Sequence, residues 1–517
     1  MLGKRRVIDE YVDSMSKTPI ALLPDDVHNQ RLTDHVHPSS WSNPVPSGRY
    51  NLVVIGGGTA GLICAIGAAG MGAKVALIER HLLGGDCLNF GCVPSKSILR
   101  SARAVANVQN AERFGVHTSP PEVDFAAVME RMRRQRSEIS EHDSAQRFKD
   151  LGVDVYLGEA RFSSKNEIEV AGARLRFAKA VIATGARPRK IDVPGLEDAG
   201  YKTNETIFSL TERPARLAVI GAGPIGAELA QAFARLGSEV TLIGRDATLL
   251  PKEDARAGRL LASRFAQEGV NVLLGANFKS VTMAGGVKHL SVEVNGEVQT
   301  VIADEILLSV GRVPNTENMG LELAGVDFDA KGVAVNDRMR TSNKRIYAAG
   351  DVCSRYQFTH AADAMARIVI QNALFLGRKK ASALVIPWAT YTEPEIAHVG
   401  ISHEEAKARG ATTFTVQFEA IDRARLDDDT EGFASVHADA KSGRILGATA
   451  VASHAGEMIA EMSLAMTAGV GLGTLAKTIH PYPTQSEVWK RLGDEWNRTR
   501  FTPWLQSLFK RWLAWRR

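Results

Sequence analysis

The chain has 517 residues, 44% of them apolar and 6% aromatic, with 46 glycines, four cysteines and a formal net charge of +5. That length exceeds what one hydrophobic core fills. With no apolar run of membrane-spanning length, it predicts a multidomain α/β protein without a transmembrane helix. The positive charge is local: residues 498–517 hold six Arg or Lys and no acid and the body is close to neutral, so no nucleic-acid footprint is spread over the fold.

The first ten residues, Met1 to Glu10, are charged and lack the apolar core of a secretory signal, which predicts a cytoplasmic protein with reduced thiols. Residues 1–48 are polar, without clear periodicity, and end in Pro44-Val45-Pro46-Ser47-Gly48; they read as an N-terminal extension and linker that wraps the body. Tyr50 to Ile55 then form an apolar strand running into Gly56-Gly57-Gly58-Thr59-Ala60-Gly61 and an Ala/Gly-rich helix, followed by a strand from Lys74 to Ile78 that ends at Glu79. The plan recurs: strand Arg216 to Ile220, turn Gly221-Ala222-Gly223-Pro224-Ile225-Gly226, helix, strand Glu239 to Ile243, then Gly244. Glu79 and Gly244 each lie 23 residues after the first glycine of their copy, so this is an internal repeat of a dinucleotide-binding fold.

In such a turn Gly56, Gly58 and Gly61, or Gly221, Gly223 and Gly226, let the backbone approach a pyrophosphate held by helix N-terminal amides. Glu79 can accept hydrogen bonds from a ribose diol, as FAD or NAD needs. In the second copy Gly244 removes that carboxylate and Arg245 follows it, which favours NADPH over NADH; the plainer reading of Arg245 is a solvated loop residue. Buried strands entering Gly turns are expected at 177–187, at 306–315 and at Ile346 to Asp351, and from about Ile386 the pattern becomes that of an α+β domain.

Between the repeats lies Gly84-Gly85-Asp86-Cys87-Leu88-Asn89-Phe90-Gly91-Cys92-Val93-Pro94-Ser95-Lys96. Cysteines five apart can meet disulfide geometry across a turn at the start of a helix, and a helix N-terminus with Lys96 nearby stabilises a thiolate. Cys87 and Cys92 therefore read as a redox pair. Their alternatives are inert buried thiols or half of a metal site, and no matching Cys/His cluster supports the latter. Cys64 and Cys353 read as small packed residues.

In this order, the two repeats, the cysteine segment, the Gly350-Asp351 turn and the C-terminal domain resemble the pyridine nucleotide-disulfide oxidoreductases, from about Tyr50 to about Arg491. The resemblance implies two Rossmann-like domains and a C-terminal dimerisation domain: 1–48 extension, 49–198 and 317–385 the FAD-binding domain, 199–316 the NAD(P)-binding domain, 386–497 the dimerisation domain, 498–517 a basic tail. It implies FAD on the first repeat, with Thr184, Gly185 and Asp351 at the flavin and its ribityl chain, and the nicotinamide on the second. It further implies Lys96 beside the flavin and paired with Glu228, Cys92 against the flavin, Cys87 facing a small-molecule acceptor, and a homodimer whose partner completes each active site.

One departure stands out. Glutathione reductase and dihydrolipoamide dehydrogenase carry a base His directly before Pro-Thr, with an orienting Glu five residues on. Here His480-Pro481-Tyr482-Pro483-Thr484-Gln485-Ser486-Glu487 puts Tyr482 in that place, Glu487 at the right spacing and His480 two residues early. Tyrosine, with an ordinary pKa near ~10, is a poor base at neutral pH. The mercuric reductase branch also has a Tyr there and is similar over Ile386 to Glu395. That branch adds a vicinal cysteine pair near its C-terminus, whereas this chain has no cysteine after Cys353. The expectation is a mercuric reductase-like FAD enzyme reducing a disulfide, a soft metal ion or another small oxidant. The alternatives are a dihydrolipoamide dehydrogenase using His480, and a membrane-attached flavoprotein with silent cysteines.

Beyond the resemblance, Pro503 is placed to start a helix whose apolar face would be Trp504, Leu505, Leu508, Phe509, Trp512 and Leu513, with Lys510, Arg511, Arg516 and Arg517 largely elsewhere. Two readings stand equal: a helix lying on anionic lipid at the inner face of the membrane, or a helix docked on the dimer.

Overall fold

The computed structural model describes residues 22–517; the charged start, Met1 to Glu10, lies outside the described residues. The first sheet has strands Val153–Leu157, Val75–Glu79, Arg49–Ile55 and Ala173–Ile182 parallel and in that order, with Ile346–Ala348 continuing the parallel pairing on the last. Glu167–Val170 and Ala160–Ser164 extend it antiparallel. Leu52, Val53 and Val54 are fully buried, as a strand covered on both faces requires. Ile55 sits level with Ile78 on one side and Ile182 on the other, so the turns after these strands open at one edge.

The Thr59–Gly70 helix is built of small residues because the Thr359–Leu374 helix lies against it. A Cβ on Gly67 would stand 2.7 Å from Ile370 Cδ1, and the buried Cys64 thiol reaches the Ala366 carbonyl at 3.8 Å. The second repeat forms its own parallel sheet, Asn271–Leu273, Glu239–Ile243, Arg216–Ile220 and Glu305–Leu308, flanked by an antiparallel three-stranded sheet over 276–303. The C-terminal unit is a five-stranded antiparallel sheet, Pro387–Thr390, Glu395–Gly400, Ile445–Ala452, Phe433–Ala438, Thr412–Gln417. The helices Ala455–Ala468 and Glu487–Thr499 cover it and bury Trp489, Leu492 and Trp496.

The described part of the N-terminal extension, residues 22–48, holds a helix and packs on the body. Asp26 caps a Val27–Val36 helix by accepting from the His28 and Asn29 amides, and Leu32 and Val36 are fully buried in the core of the first sheet's domain. Asn29 accepts from Arg136 at 2.6 Å, Trp41 donates to the Val155 carbonyl, and Asn43 exchanges two hydrogen bonds with Leu157. Too few apolar positions carry this helix for periodicity to show it; its partners are distant in sequence, from Leu83 to Arg136.

Candidate active site

The two glycine turns divide their labour in the same way. A Cβ on Gly56 (φ +104°) would lie 2.3 Å from the Ala183 carbonyl oxygen, and one on Gly61 1.8 Å from the Gly56 oxygen; on Gly58 nothing lies closer than 3.7 Å. In the second repeat a Cβ on Gly221 would meet the Ser309 oxygen at 2.4 Å and one on Gly226 the Gly221 oxygen at 1.9 Å, while Gly223 faces open space. The outer glycines serve packing, and the middle one keeps a bay clear over a helix N-terminus. A pyrophosphate fits that bay in both repeats.

Glu79 closes its strand with its carboxylate turned back to the turn, accepting from the Gly57 amide at 2.6 Å and the His81 amide at 2.7 Å. Burial pushes its pKa up and the two amides pull it back. Gly244 has a packing reason of its own: a Cβ there would meet Ala222 Cβ at 2.7 Å. Arg245 is 89% exposed, and its nearest acid, Asp246, is 4.0 Å away.

Thr184, Gly185 and Asn315 knit the ends of two segments together. The Thr184 hydroxyl donates to the Asn315 carbonyl, the Asn315 side chain donates to the Thr184 carbonyl, and the Asn315 amide donates to Gly185. Gly350 has φ +82°, and the Asp351 after it is driven by burial to about 6, against the pull of Arg312 at 3.6 Å.

Cys87 belongs to a short helix, Gly85–Asn89, and Cys92 is the first residue of the Cys92–Gln109 helix. Both are free thiols, Cys87 half-buried and Cys92 exposed. The neighbouring Cys87 thiol holds the Cys92 pKa down to about 6, helped by Thr359 and the charge of Lys96. The nearness of Cys92, with burial, pushes Cys87 well up. Thr359, first residue of another helix, places its hydroxyl 3.4 Å from the Cys92 sulfur. One sulfur thus sits at the N-terminal ends of two helices, where partial positive charge favours a thiolate.

Lys96 lies one turn on and pairs with Glu228 at 2.7 Å, as the resemblance implies. Glu228 is buried and also accepts from the Tyr391 amide at 2.9 Å, while the Lys96 ammonium rests 4.6 Å from the centre of the Tyr391 ring. Burial works against the Lys96 charge, but Glu228 outweighs it and the pKa rises. Asp86 holds the cysteine segment in place, accepting from Asn204 at 3.0 Å and from Arg312 at 3.1 Å. Thr359 and Arg312 carried no local signal in the sequence: each meets the cysteine segment across more than two hundred residues of chain.

The C-terminal residues form a separate group, and the expected pairing of Tyr482 with Glu487 is absent. Tyr482 is 71% exposed and donates to Asp422 at 3.1 Å, which raises its pKa. Glu487 accepts from Arg491 at 3.0 Å through one oxygen, and its other oxygen is buried without a partner. The His480 ring faces Glu461 at 3.0 Å and the Thr478 carbonyl at 3.2 Å. Among the described residues, no hydrogen bond joins Tyr482, His480 or Glu487 to Cys87 or Cys92.

Residues 50–366 match the pyridine nucleotide-disulphide oxidoreductase family and residues 386–492 its dimerisation domain. A mercuric reductase of Bacillus cereus is 36% identical over 441 residues, 85% of this chain and 70% of that protein. A dihydrolipoyl dehydrogenase of Chlamydia muridarum is 34% identical over 451 residues, 85% of this chain and 95% of the relative. The Cu(II) complex of the HOCl-induced flavoprotein disulfide reductase RclA from Escherichia coli superposes with a TM-score of 0.76 at 28% identity, covering 85% of this chain and 98% of that one. With most of the chain matched and each dinucleotide turn shaped for its phosphates, the protein belongs to the pyridine nucleotide-disulphide oxidoreductases, homodimeric enzymes that use FAD and NAD(P)H.

Proposed function

We propose that this enzyme passes electrons from NADPH to the Cys87–Cys92 pair and from there to a small oxidant, a soft metal ion or a disulfide. The observation that carries the reading is the cluster of Cys87, Cys92 and Thr359 beside the Lys96–Glu228 pair. Glu79 would hold the ribose of FAD on the first repeat and Asp351 its ribityl chain, and the bound flavin would supply the two-electron link between the nicotinamide and the disulfide. Gly223 leaves room for the nicotinamide's pyrophosphate, and Arg245 is free to meet a 2′-phosphate.

Reduction breaks the Cys87–Cys92 bond and leaves Cys92 as the thiolate, with the proton on Cys87. Against a disulfide RSSR, deprotonated Cys87 attacks one sulfur and releases RS⁻. Cys92 then attacks the Cys87 sulfur of the mixed disulfide, releases the second RS⁻ and restores the internal disulfide. Each turnover consumes one NADPH and one proton and yields two thiols. With a soft metal ion the two thiolates give up the same electron pair as their disulfide re-forms, one mercuric ion leaving as the metal atom or two cupric ions leaving as cuprous ions.

A dihydrolipoamide dehydrogenase is the weaker reading, because both ring nitrogens of His480 are engaged within its own domain and Tyr482 stands where the base belongs. Steady-state turnover with mercuric ion, cupric ion, glutathione disulfide, lipoamide and quinones tests the choice. Metal-ion or small-disulfide turnover that falls in a Tyr482→Phe variant and persists in His480→Ala supports the proposal. Rapid lipoamide turnover lost in His480→Ala overturns it.

A further inference from the structure

The Pro503–Trp515 helix ends the chain, and none of its residues is buried. It is locally well made. Pro503 occupies its first turn, and the Thr502 hydroxyl accepts from the Leu505 amide at 3.4 Å. At ~100° per residue, Trp504, Leu505, Leu508, Phe509, Trp512, Leu513 and Trp515 fall on one half of the cylinder, with Gln506, Ser507, Lys510, Arg511 and Ala514 on the other. The apolar half is open: Trp504 is 72% exposed, Trp512 52%, Leu513 57% and Trp515 77%. The preceding helix does the opposite, burying Trp489, Leu492 and Trp496 in the C-terminal core. The chain therefore leaves its own core at Phe501 and carries this face outward.

A contiguous apolar face of this kind calls for an occupant, and its chemistry selects one. Residues 498–517 carry six Arg or Lys and no acid, while the rest of the chain is near neutral and offers a second copy no excess of acid to meet them. The aromatics are mostly tryptophan, the side chain that sits at the boundary between lipid headgroups and acyl chains. At ~1.5 Å per residue the helix is about 20 Å long, short of the ~30 Å hydrocarbon layer, and no helix among the described residues is long and apolar enough to cross a membrane. It fits the plane of the interface, its arginines reaching up to phosphates.

We propose that residues 498–517 seat the enzyme on the surface of a bilayer containing anionic lipid. Attachment is reversible and electrostatically tuned, each basic residue near the surface strengthening it roughly fivefold. A homodimer presents two such helices, so engagement of the second is intramolecular once the first has bound.

The test uses the full-length holoenzyme with vesicles of phosphatidylcholine alone and of phosphatidylcholine with about 30 mol% phosphatidylglycerol. The enzyme is expected to sediment with the anionic vesicles at least about tenfold better than with the neutral ones and to be released by about 0.5 M salt. Trp504→Ala with Trp512→Ala and Trp515→Ala, and a truncation after Asn497, are expected to stay in the supernatant, with NADPH-dependent flavin reduction unchanged. Flavin reduction reports on the active site independently of the lipid assay. Failure of the intact enzyme to sediment overturns the proposal, as does equal sedimentation of the truncated one. A fall in solution mass on truncation, without vesicle binding by the intact chain, assigns the face to a second copy instead.

Discussion

The Thr359 hydroxyl stands 3.4 Å from the Cys92 sulfur across 267 residues of sequence, and it can donate only if the sulfur is the acceptor, as a thiolate is. Cys87 lies beside that sulfur, and the two together, with Lys96, hold Cys92 ionised to about 6. Since the pKa is depressed, the thiolate is present above that value and lost as pH falls through it. The long-wavelength absorbance of two-electron-reduced enzyme is expected to fade on acidification with a midpoint near 6. A hydrogen bond to a charged group contributes about 1.5 kcal/mol or more, which is about one pH unit. Thr359→Val should raise the midpoint by that much and Thr359→Ser restore it. An unmoved midpoint would show that Thr359 does not touch the thiolate.

Lys96 and Glu228 make a second, more expensive contact. Glu228 is only 6% exposed in its side chain. Removing its cation leaves a buried carboxylate with a single amide donor, a change that costs about 3 kcal/mol or more. Lys96→Met is expected to lower the melting temperature by several degrees and slow flavin reduction by NADPH, whereas the double variant Lys96→Met/Glu228→Gln should recover stability but not rate. Equal stability of the single and double variants would argue against a charge-burial effect.

The glycine turns give a contrast between space and strain. Gly226→Ala would place a methyl 1.9 Å from the Gly221 carbonyl and should prevent the second repeat from folding. Gly223→Val meets no protein atom at its Cβ, so stability should change by less than about 0.5 kcal/mol. KM for NADPH should nonetheless rise about tenfold or more, because the side chain occupies the pyrophosphate's place. Thermal melts and steady-state kinetics on the two variants check both halves.

Arg245, being 89% exposed, adds nothing measurable to stability, so its replacement isolates recognition. Arg245→Ala is expected to raise KM for NADPH about tenfold and leave NADH nearly unchanged, with kcat unaffected. Parallel loss for both nucleotides would make it an ordinary loop residue.

Where the backbone itself must do something unusual, the sequence was readable. The two strand-turn-helix repeats and Glu79 at a strand end sit where their spacing places them, whereas the pairing of Lys96 with Glu228 followed from the family resemblance and from no local pattern. What escaped is held by contacts between distant segments. The Val27–Val36 helix is tied to Arg136 and the segment after it to the Val153–Leu157 strand through Trp41, Thr359 reaches Cys92 across 267 residues, and Tyr482 donates to Asp422. Spacing alone could rank Glu487 as the partner of Tyr482. Asp422, sixty residues earlier in the chain, takes the Tyr482 hydroxyl instead.

Anaerobic titration with NADPH, comparing the natural protein with Cys92→Ser, tests the electron path most directly. The natural enzyme is expected to take up about two NADPH per subunit, the first producing long-wavelength absorbance with the flavin still oxidised and the second bleaching it. Cys92→Ser should take up about one, bleaching the flavin at once with no such band. Identical titrations of the two proteins, each consuming a single equivalent, would contradict a redox role for Cys87 and Cys92.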